Sequence, residues 1–390
     1  MSRLKEYFSY KKFDTPVYRI LYLNNDYYLQ KQSIAALKNL GHDVAVVDVV
    51  NDPSQMLELI LKTAILLKPD CVMGVNHLGF DEEGKIADLL SQLSIPVVFW
   101  YLDDFRFIAF DGKVQSNPMT AIFTFEKTHV PVIKELGFSH VFHLPSASAI
   151  HPEKDYLNQS YSFLENAVSF IGGTFSSSKN KRLKPAYPDL LFKLEKKIDF
   201  KHANTFLIDE IKREQAAELV TENEFNHYAG YVMCEAIRQY RANILENVVA
   251  ENFHVFGDLC WNEYSINGTI HGPVDNTTAV PFIFHHSLLN LNISSQQLAT
   301  TVNLRVFEVP AAGGFLLTDW KDELGELFDF DSELVVYKSI DEMNDLIAFY
   351  QQNPSKREHI INKARQRVLK EHLVIHRIRK MITVLADLFG

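Results

Sequence analysis

Val97-Val98-Phe99-Trp100-Tyr101-Leu102 is an apolar run without a break. A strand with one wet face would carry a polar residue at every second position. This run carries none, as burial on both faces of a parallel sheet requires. Nearly continuous apolar runs recur on either side. Upstream they appear over 71–75, 44–50 and 18–23; downstream they appear over 121–125 and 140–144. Helix-favouring stretches separate these runs, at about 28–40, 53–67, 82–93 and 130–136. Asn24-Asn25-Asp26 can cap the first of these helices and Gly41 can stop it. Alternating strands and helices with short connections predict a doubly wound α/β domain over residues 1–150.

A second alternation starts at Val168-Ser169-Phe170-Ile171-Gly172-Gly173. Before it, Pro145 and Pro152 bracket a polar stretch, and residues 151–165 read as a linker. Charged, helix-favouring sequence runs from about 187 to 249 and has no functional reading. Strands are expected at 253–256 and 288–293, a helix at 296–309, and strands at 315–318 and 333–337. Helices at 340–351, 355–371 and 375–388 close the chain. The fold class is α/β, with two Rossmann-like doubly wound domains in tandem. No sequence repeat relates them.

Composition narrows the function. A chain of 390 residues exceeds one ordinary core. Asp and Glu number 49 against 39 Lys and Arg, a net charge of −10, which disfavours binding to a nucleic-acid backbone. No apolar run reaches the roughly 18–20 residues that span a bilayer. No secretion signal is read at the start, so the Asn-x-Ser/Thr triplets at Asn158, Asn267, Asn276 and Asn292 carry no weight. Cys71, Cys234 and Cys260 are odd in number and far apart, which argues against a disulfide framework and a zinc ribbon. The expected compartment is the cytoplasm.

In open parallel sheets, ligands bind beyond the carboxyl ends of the strands. One such loop, Gly172-Gly173-Thr174-Phe175-Ser176-Ser177-Ser178-Lys179-Asn180-Lys181-Arg182, is rich in Gly and Ser and ends in basic residues. It reads as a phosphate cradle or as a flexible surface loop. It lacks the Gly-Lys-Ser/Thr ending of a Walker loop. A second stretch, residues 301–319, is the most informative. Arg305 and Glu308 stand three apart, on one face of a helix, and Gly313-Gly314 ends that helix and opens a strand. A carboxylate there can accept two hydrogen bonds from the vicinal hydroxyls of a ribose, and an arginine one turn away can face a diphosphate. An ordinary intrahelical ion pair is the alternative.

The block Asn303-Leu304-Arg305-Val306-Phe307-Glu308-Val309-Pro310-Ala311-Ala312-Gly313-Gly314-Phe315-Leu316-Leu317-Thr318-Asp319 resembles the donor-site motif of GT-B glycosyltransferases, in particular the spore-maturation-protein-B-like (CgeB-like) group. Val168–Gly172, Val255-Phe256-Gly257-Asp258, Leu291-Asn292-Ile293, Leu334–Ser339, Pro354–Arg357 and Arg367–His372 match in order and spacing. The resemblance covers roughly 165–380. Towards the N-terminus it rests on Trp100–Asp104 and Leu144–Ala147.

The resemblance implies a nucleotide-diphosphate-sugar donor in a domain over 166–372, an acceptor mainly in the first domain, and chemistry in a cleft between them. It implies that 373–390 crosses back to the first domain. Glu308 would hold the ribose. Arg305, Gly172, Gly173, Arg182, Gly257, Asn292, Gly313 and Gly314 would serve the donor. The commoner pattern, with which a retaining mechanism is associated, has a second glutamate where Thr300 stands, so this chain departs from it and inversion and retention both stay open.

Transfer by inversion requires a general base. Asp26, His77, Asp103 and Asp104 follow strands of the first domain, with Asp103 and Asp104 the first choice. Only one of these two neighbours is expected to face a substrate. His77 reads as a sugar-binding or a structural histidine. No metal and no cofactor are expected. Asp329-Phe330-Asp331 reads as a capped turn, and His140 and His143, on a strand, face opposite sides. The basic stretch from Lys363 to Lys380 reads as the solvated face of amphipathic helices, or as a peripheral contact with the inner membrane face. The expected partners are a nucleotide-sugar and a glycan, protein or lipid-linked acceptor. A two-lobed binding protein without chemistry, an epimerase and a phosphorylase on the same scaffold are the rival readings.

Overall fold

A computed structural model describes residues 2–81, 83–105, 116–150, 162–175, 222–330 and 332–390. The chain divides into two compact units, Met1–Ala149 with Val374–Gly390, and Ile150–Leu373. Each contains a six-stranded sheet in which every pairing is parallel.

The first unit runs α1 (Ser2–Tyr7), β1 (Arg19–Asn24), α2 (Gln30–Asn39), β2 (Asp43–Asp48), α3 (Pro53–Leu67), β3 (Cys71–Val75), α4 (Lys85–Gln92), β4 (Val97–Tyr101), β5 (Thr120–Thr124), α5 (His129–Glu135) and β6 (His140–His143). Every residue of β3, β4 and β5 is buried, which is why these strands read as continuous apolar runs. Spatial order is β2-β1-β3-β4-β5-β6, so the chain changes direction between β1 and β3. Helix α3 shows how local chemistry sets an element. The Asp52 carboxylate accepts from the Gln55 N–H at 2.7 Å, Pro53 occupies the first turn, and Met56, Ile60 and Ala64 face the core at four-residue spacing.

The second unit runs β7 (Val168–Ile171), α6 (Glu222–Leu245), β8 (Phe253–Phe256), β9 (Thr269–His271), α7 (Ala279–His286), β10 (Leu289–Asn292), α8 (Arg305–Ala311), β11 (Leu316–Asp319), α9 (Leu324–Leu327), β12 (Val335–Tyr337), α10 (Ile340–Gln352) and α11 (Pro354–Glu371). Spatial order is β12-β11-β10-β7-β8-β9. The chain builds β8 and β9 on one side of β7, then returns to place β10 on the other. The switch point lies between β7 and β10.

The last helix, α12 (Val374–Phe389), belongs to the first unit. Its Val374, Ile378, Met381, Ile382 and Leu385 join the apolar cluster that holds Leu29, Ala36 and Leu37 of the α2 region. Arg377 fixes it by donating from Nε to the carbonyls of Pro145 at 3.0 Å and Ser146 at 3.1 Å.

The structure corrects one sequence expectation. The helix over 296–309 is confined to α8, and residues 293–304 form an irregular connection. Its Ser, Thr and Asn side chains bond to partners far along the chain, which outcompetes the helical ladder. Elements α1, α7, α9 and β9 have no counterpart in the sequence reading. Helix α7 is apolar nearly all round and buried, so it shows no helical period. Strand β9 is three residues at a sheet edge with mixed exposure, too short to show alternation.

Gly314 has to be glycine for packing. A Cβ there would fall well inside contact distance of the Phe284 carbonyl oxygen and 2.8 Å from Asn290 Nδ2. Gly272 has nothing within 4 Å of the same position. Gly314→Ala is expected to lower stability by about 1–3 kcal/mol in urea unfolding, and Gly272→Ala by no more than about 0.5 kcal/mol. Equal midpoints for the two variants would refute this packing account.

Candidate functional site

In the second unit, the strand ends around the switch point carry a dense polar network. Asp319, at the end of β11, is buried. Its carboxylate accepts from the Ser294 N–H at 3.0 Å, the Ser294 hydroxyl at 2.8 Å and the Tyr240 hydroxyl at 3.1 Å. Asn292 ends β10. Its side-chain amide and that of Asn303 bond to each other in both directions, at 2.9 and 2.8 Å, and Asn292 also donates to the Thr318 hydroxyl. Lys321 donates to the Leu298 carbonyl at 2.7 Å and Thr300 to Glu323 at 2.7 Å. These bonds fix the 293–304 connection, from which α8 starts.

Glu308 lies in the first turn of α8, where the helix dipole favours a negative charge, and it is 5% exposed. Arg305, one turn earlier, is paired with it, and the guanidinium also lies over the Phe284 ring at 5.5 Å. The ion pair is therefore real and largely desolvated.

After β7, the backbone of residues 172–174 is held from three sides. Trp261 Nε1 donates to the Gly172 carbonyl at 2.8 Å. Arg241 Nη1 donates to the Gly173 carbonyl at 2.9 Å. Asp258 accepts from the Thr174 N–H at 2.6 Å and from its hydroxyl at 2.7 Å. Gly257 lets the ends of β7 and β8 converge, because a Cβ there would collide with the Gly172 carbonyl.

In the first unit, the corresponding edge gathers Tyr27, Asn76, His77 and Asp103. Asn76 accepts at Oδ1 from the Leu102 N–H at 2.8 Å and donates from Nδ2 to Asp103 at 2.7 Å. The Tyr27 hydroxyl donates to the same Asp103 oxygen. Burial raises the Tyr27 phenol above its ordinary value, and the Asp103 charge adds to the rise, so the phenol stays a donor. Asn76 and His77 are successive non-glycine residues in the left-handed region, at φ 50° and 64°. Such strain concentrates where a backbone must present groups to a ligand. His77 stacks on Phe99 at 4.2 Å, and its Nδ1 is 3.1 Å from the Tyr101 hydroxyl. Its Nε2 is buried with no hydrogen-bond partner among the described residues.

Comparisons with known proteins agree with this architecture. Residues 235–383 match the family model described as "Glycosyl transferase-like". No curated protein matches the chain. Among solved structures, sucrose-phosphate synthase from Thermosynechococcus elongatus is 10% identical, with 95% of this chain and 98% of that one covered and a TM-score of 0.57. A UDP-forming α,α-trehalose-phosphate synthase from Burkholderia xenovorans is 11% identical, covering 96% and 100%, with a TM-score of 0.55. HepE of Anabaena, solved with UDP and glucose, is 11% identical, covering 95% and 100%, with a TM-score of 0.52. The chain has the GT-B glycosyltransferase fold.

On that fold the residues singled out in the sequence separate. Arg305 and Glu308 meet. Gly172, Gly173, Gly257 and Asn292 share the carboxyl edge of the GT-B second sheet, but Asn292 spends its amide on Asn303 and Thr318. Gly313 and Gly314 end the helix and open the strand, as the sequence suggests. They precede β11, at the sheet edge opposite to Asp319, and their N–H groups close the α8 terminus on the carbonyls of Pro310 and Val309. In this position they terminate the helix and allow close packing. Arg182 lies outside the described residues, as does Asp331.

Asp103 and Asp104 part company, because adjacent residues point apart. Asp103 joins Tyr27 and Asn76, whereas Asp104 is fully buried 3.8 Å from His129. Asp26 is exposed, beside Lys31. His140 contacts Phe389. Among the described residues no group of three or more His, Cys, Asp and Glu could hold a metal, and no helix is long and apolar enough to cross a membrane.

Sequence reasoning missed Arg241, Asp319, Tyr27 and Asn76. Asp319 ended the quoted motif, and its place at a strand terminus was the available signal. Nothing in the sequence marked Arg241.

Burial pulls His77 down from 6.5 to about 4, with Asp81 opposing. Between these values the unfolded chain binds a proton that the folded chain excludes. Stability therefore falls as the pH drops from 6.5 towards 4, by up to about 3 kcal/mol from this group. His77→Gln is expected to flatten the dependence of the melting temperature on pH between 7 and 4.5. A slope equal to the parent's would show that His77 takes up its proton while folded.

Proposed function

We propose that this protein is a glycosyltransferase of the spore-maturation-protein-B-like (CgeB-like) group. It transfers a sugar, hexosyltransferase-like, from a nucleotide-diphosphate-sugar to a hydroxyl of a glycan, protein or lipid-linked acceptor. It does so without metal, in the cytoplasm or at the inner membrane face. One observation carries the reading. A desolvated carboxylate, Glu308, lies in the first turn of the helix that follows β10 at the switch point, with a guanidinium beside it. The Glycosyl transferase-like match over 235–383 includes both residues.

In the reaction, the bond from the anomeric carbon to the diphosphate oxygen breaks, and its electron pair leaves with the diphosphate. A new bond forms from the acceptor oxygen to that carbon, and the hydroxyl proton goes to a base. Glu308 accepts hydrogen bonds from the ribose hydroxyls and so orients the donor. Arg305 faces the negative leaving group. Asp103 is the base, held by Asn76 and Tyr27 in one rotamer. Both hold its Oδ2, and Oδ1 is the oxygen that takes the proton. Asp104, enclosed with His129, is no candidate for that task.

A thermal-shift panel of UDP, GDP, dTDP and CMP sugars should return at least one ligand that raises the melting temperature. HepE was solved with UDP-glucose, which puts UDP sugars first in the panel. Against that ligand, Glu308→Ala should weaken binding about tenfold or more by calorimetry, since a charged hydrogen-bond acceptor is lost. Full affinity in the variant would remove the ribose role.

Turnover should persist in excess chelator. Under the same conditions Asp103→Asn should lower kcat by about 100-fold or more with the donor KM little changed. Loss of turnover on chelation, or an unimpaired Asp103→Asn, would overturn the corresponding assignment.

A further inference from the structure

Helix α6 delivers one arginine to the switch point, and the fold leaves its charge incompletely used. Arg241 is 7% exposed. Its guanidinium carbon lies 5.9 Å from the centre of the Phe170 ring and 5.2 Å from that of Phe175. Of its nitrogens, Nη1 alone donates a hydrogen bond among the described residues, to the Gly173 carbonyl. Nε is buried and reaches no partner there. Arg241 forms no ion pair with an Asp or Glu among the described residues. Asp319 favours its charge from a distance and Arg305 opposes it. Burial pulls the group down only to about 10, so it stays a cation at neutral pH.

A buried cation with a free donor edge is costly to a fold that uses it for nothing more than one carbonyl. A carbonyl strut needs a single N–H, which a neutral side chain can supply. What a guanidinium adds is a flat fork that can grip two oxygens of one anion. The site around it fits an anion. It is the carboxyl edge of a parallel sheet at its switch point, beside the glycine turn of residues 172–173 and within electrostatic range of a second guanidinium, Arg305. Two further buried polar atoms, Ser295 Oγ and Gln296 Oε1, lack partners among the described residues in the connection after β10.

We propose that Arg241 is an anion-binding residue of this site, gripping the diphosphate of the nucleotide with its Nε edge while Nη1 keeps the 172–173 turn in place. The inference rests on the nucleotide-sugar reading for the identity of the anion's bearer. It assigns to α6, a helix without a functional reading in the sequence, the stabilisation of the leaving group.

Inorganic diphosphate is the probe, because it needs neither a base nor a sugar to be known. The full chain should bind it, as measured by calorimetry. Arg241→Gln should weaken that binding about tenfold or more, whereas Arg379→Gln, the loss of an exposed cation on α12, should leave it unchanged. Absent binding to the parent chain, or equal affinity in a folded Arg241→Gln, overturns the proposal.

If Arg241→Gln does not fold, the parent chain itself carries the test. In protein labelled with 15N-arginine, the Arg241 Nε–H resonance, assigned by its loss in Arg241→Lys, should shift on adding diphosphate. An unmoved resonance at saturating diphosphate overturns the proposal. Diphosphate binding that depends on Arg241, with no response to any sugar nucleotide in the panel, would support the anion site and count against the glycosyltransferase reading. A sugar nucleotide that binds Arg241→Gln as tightly as the parent would leave that reading standing and reject this one.

Discussion

The buried carboxylate of Asp319 organises the carboxyl edge of the second sheet. It joins three segments far apart in sequence: the end of β11, the connection after β10 through Ser294, and α6 through Tyr240. A lone carboxylate so deeply buried would be unstable. Here it receives hydrogen bonds from both groups of Ser294 and from a phenol, and it faces the charge of Arg241. Removing the donors would strand the charge. Removing the charge would release the connection from which α8 begins, and with it Glu308. The geometry of the donor side thus depends on an aspartate that contacts no proposed substrate.

The two sheets meet one demand in different chemistry. In each, strand order reverses once, and the polar groups gather at the carboxyl edge beside that reversal. The second unit places two guanidiniums and a desolvated carboxylate there. The first places a tyrosine, an asparagine, an aspartate and a neutral histidine, on backbone strained at residues 76 and 77. Cations and backbone turns suit a leaving diphosphate. Neutral donors around one fixed carboxylate suit a hydroxyl that must be oriented and then deprotonated.

What the sequence disclosed follows from the range of the forces involved. The strands were legible because burial on both faces writes itself residue by residue, as in 97–101. Helix α3 was legible because its cap, proline and apolar spacing are local. The expected helix over 296–309 loses its part over 296–304 because the bonds that hold the 293–304 connection reach across the fold, from Ser294 to Asp319 and from Lys321 back to Leu298. The Arg305–Glu308 pair was legible because i,i+3 partners share a helix face. Gly313 and Gly314 were legible as a helix terminus because the signal is local. Asp103 and Asp104 look alike in sequence. Their neighbours, Asn76 in one case and His129 in the other, distinguish them.

Arg241 was illegible for a related reason. An arginine in a charged helical stretch is ordinarily a solvated residue, and its burial is decided by how α6 docks on β7 and β8. Its position also resolves an apparent conflict. A chain with net charge −10 should repel a doubly charged diphosphate. At physiological salt, however, distant surface charges are screened beyond about 8 Å, whereas a desolvated guanidinium in contact with the ligand is not. On the proposed reading, binding is governed by the few charged groups inside the site, Arg241 and Arg305 with Asp319 and Glu308, and not by the composition of the surface. Of the two arginines only Arg241 is buried; the side chain of Arg305 stays 21% exposed beside Glu308. On that reading, the grip on an anion comes from preorganised hydrogen-bond geometry more than from excess charge.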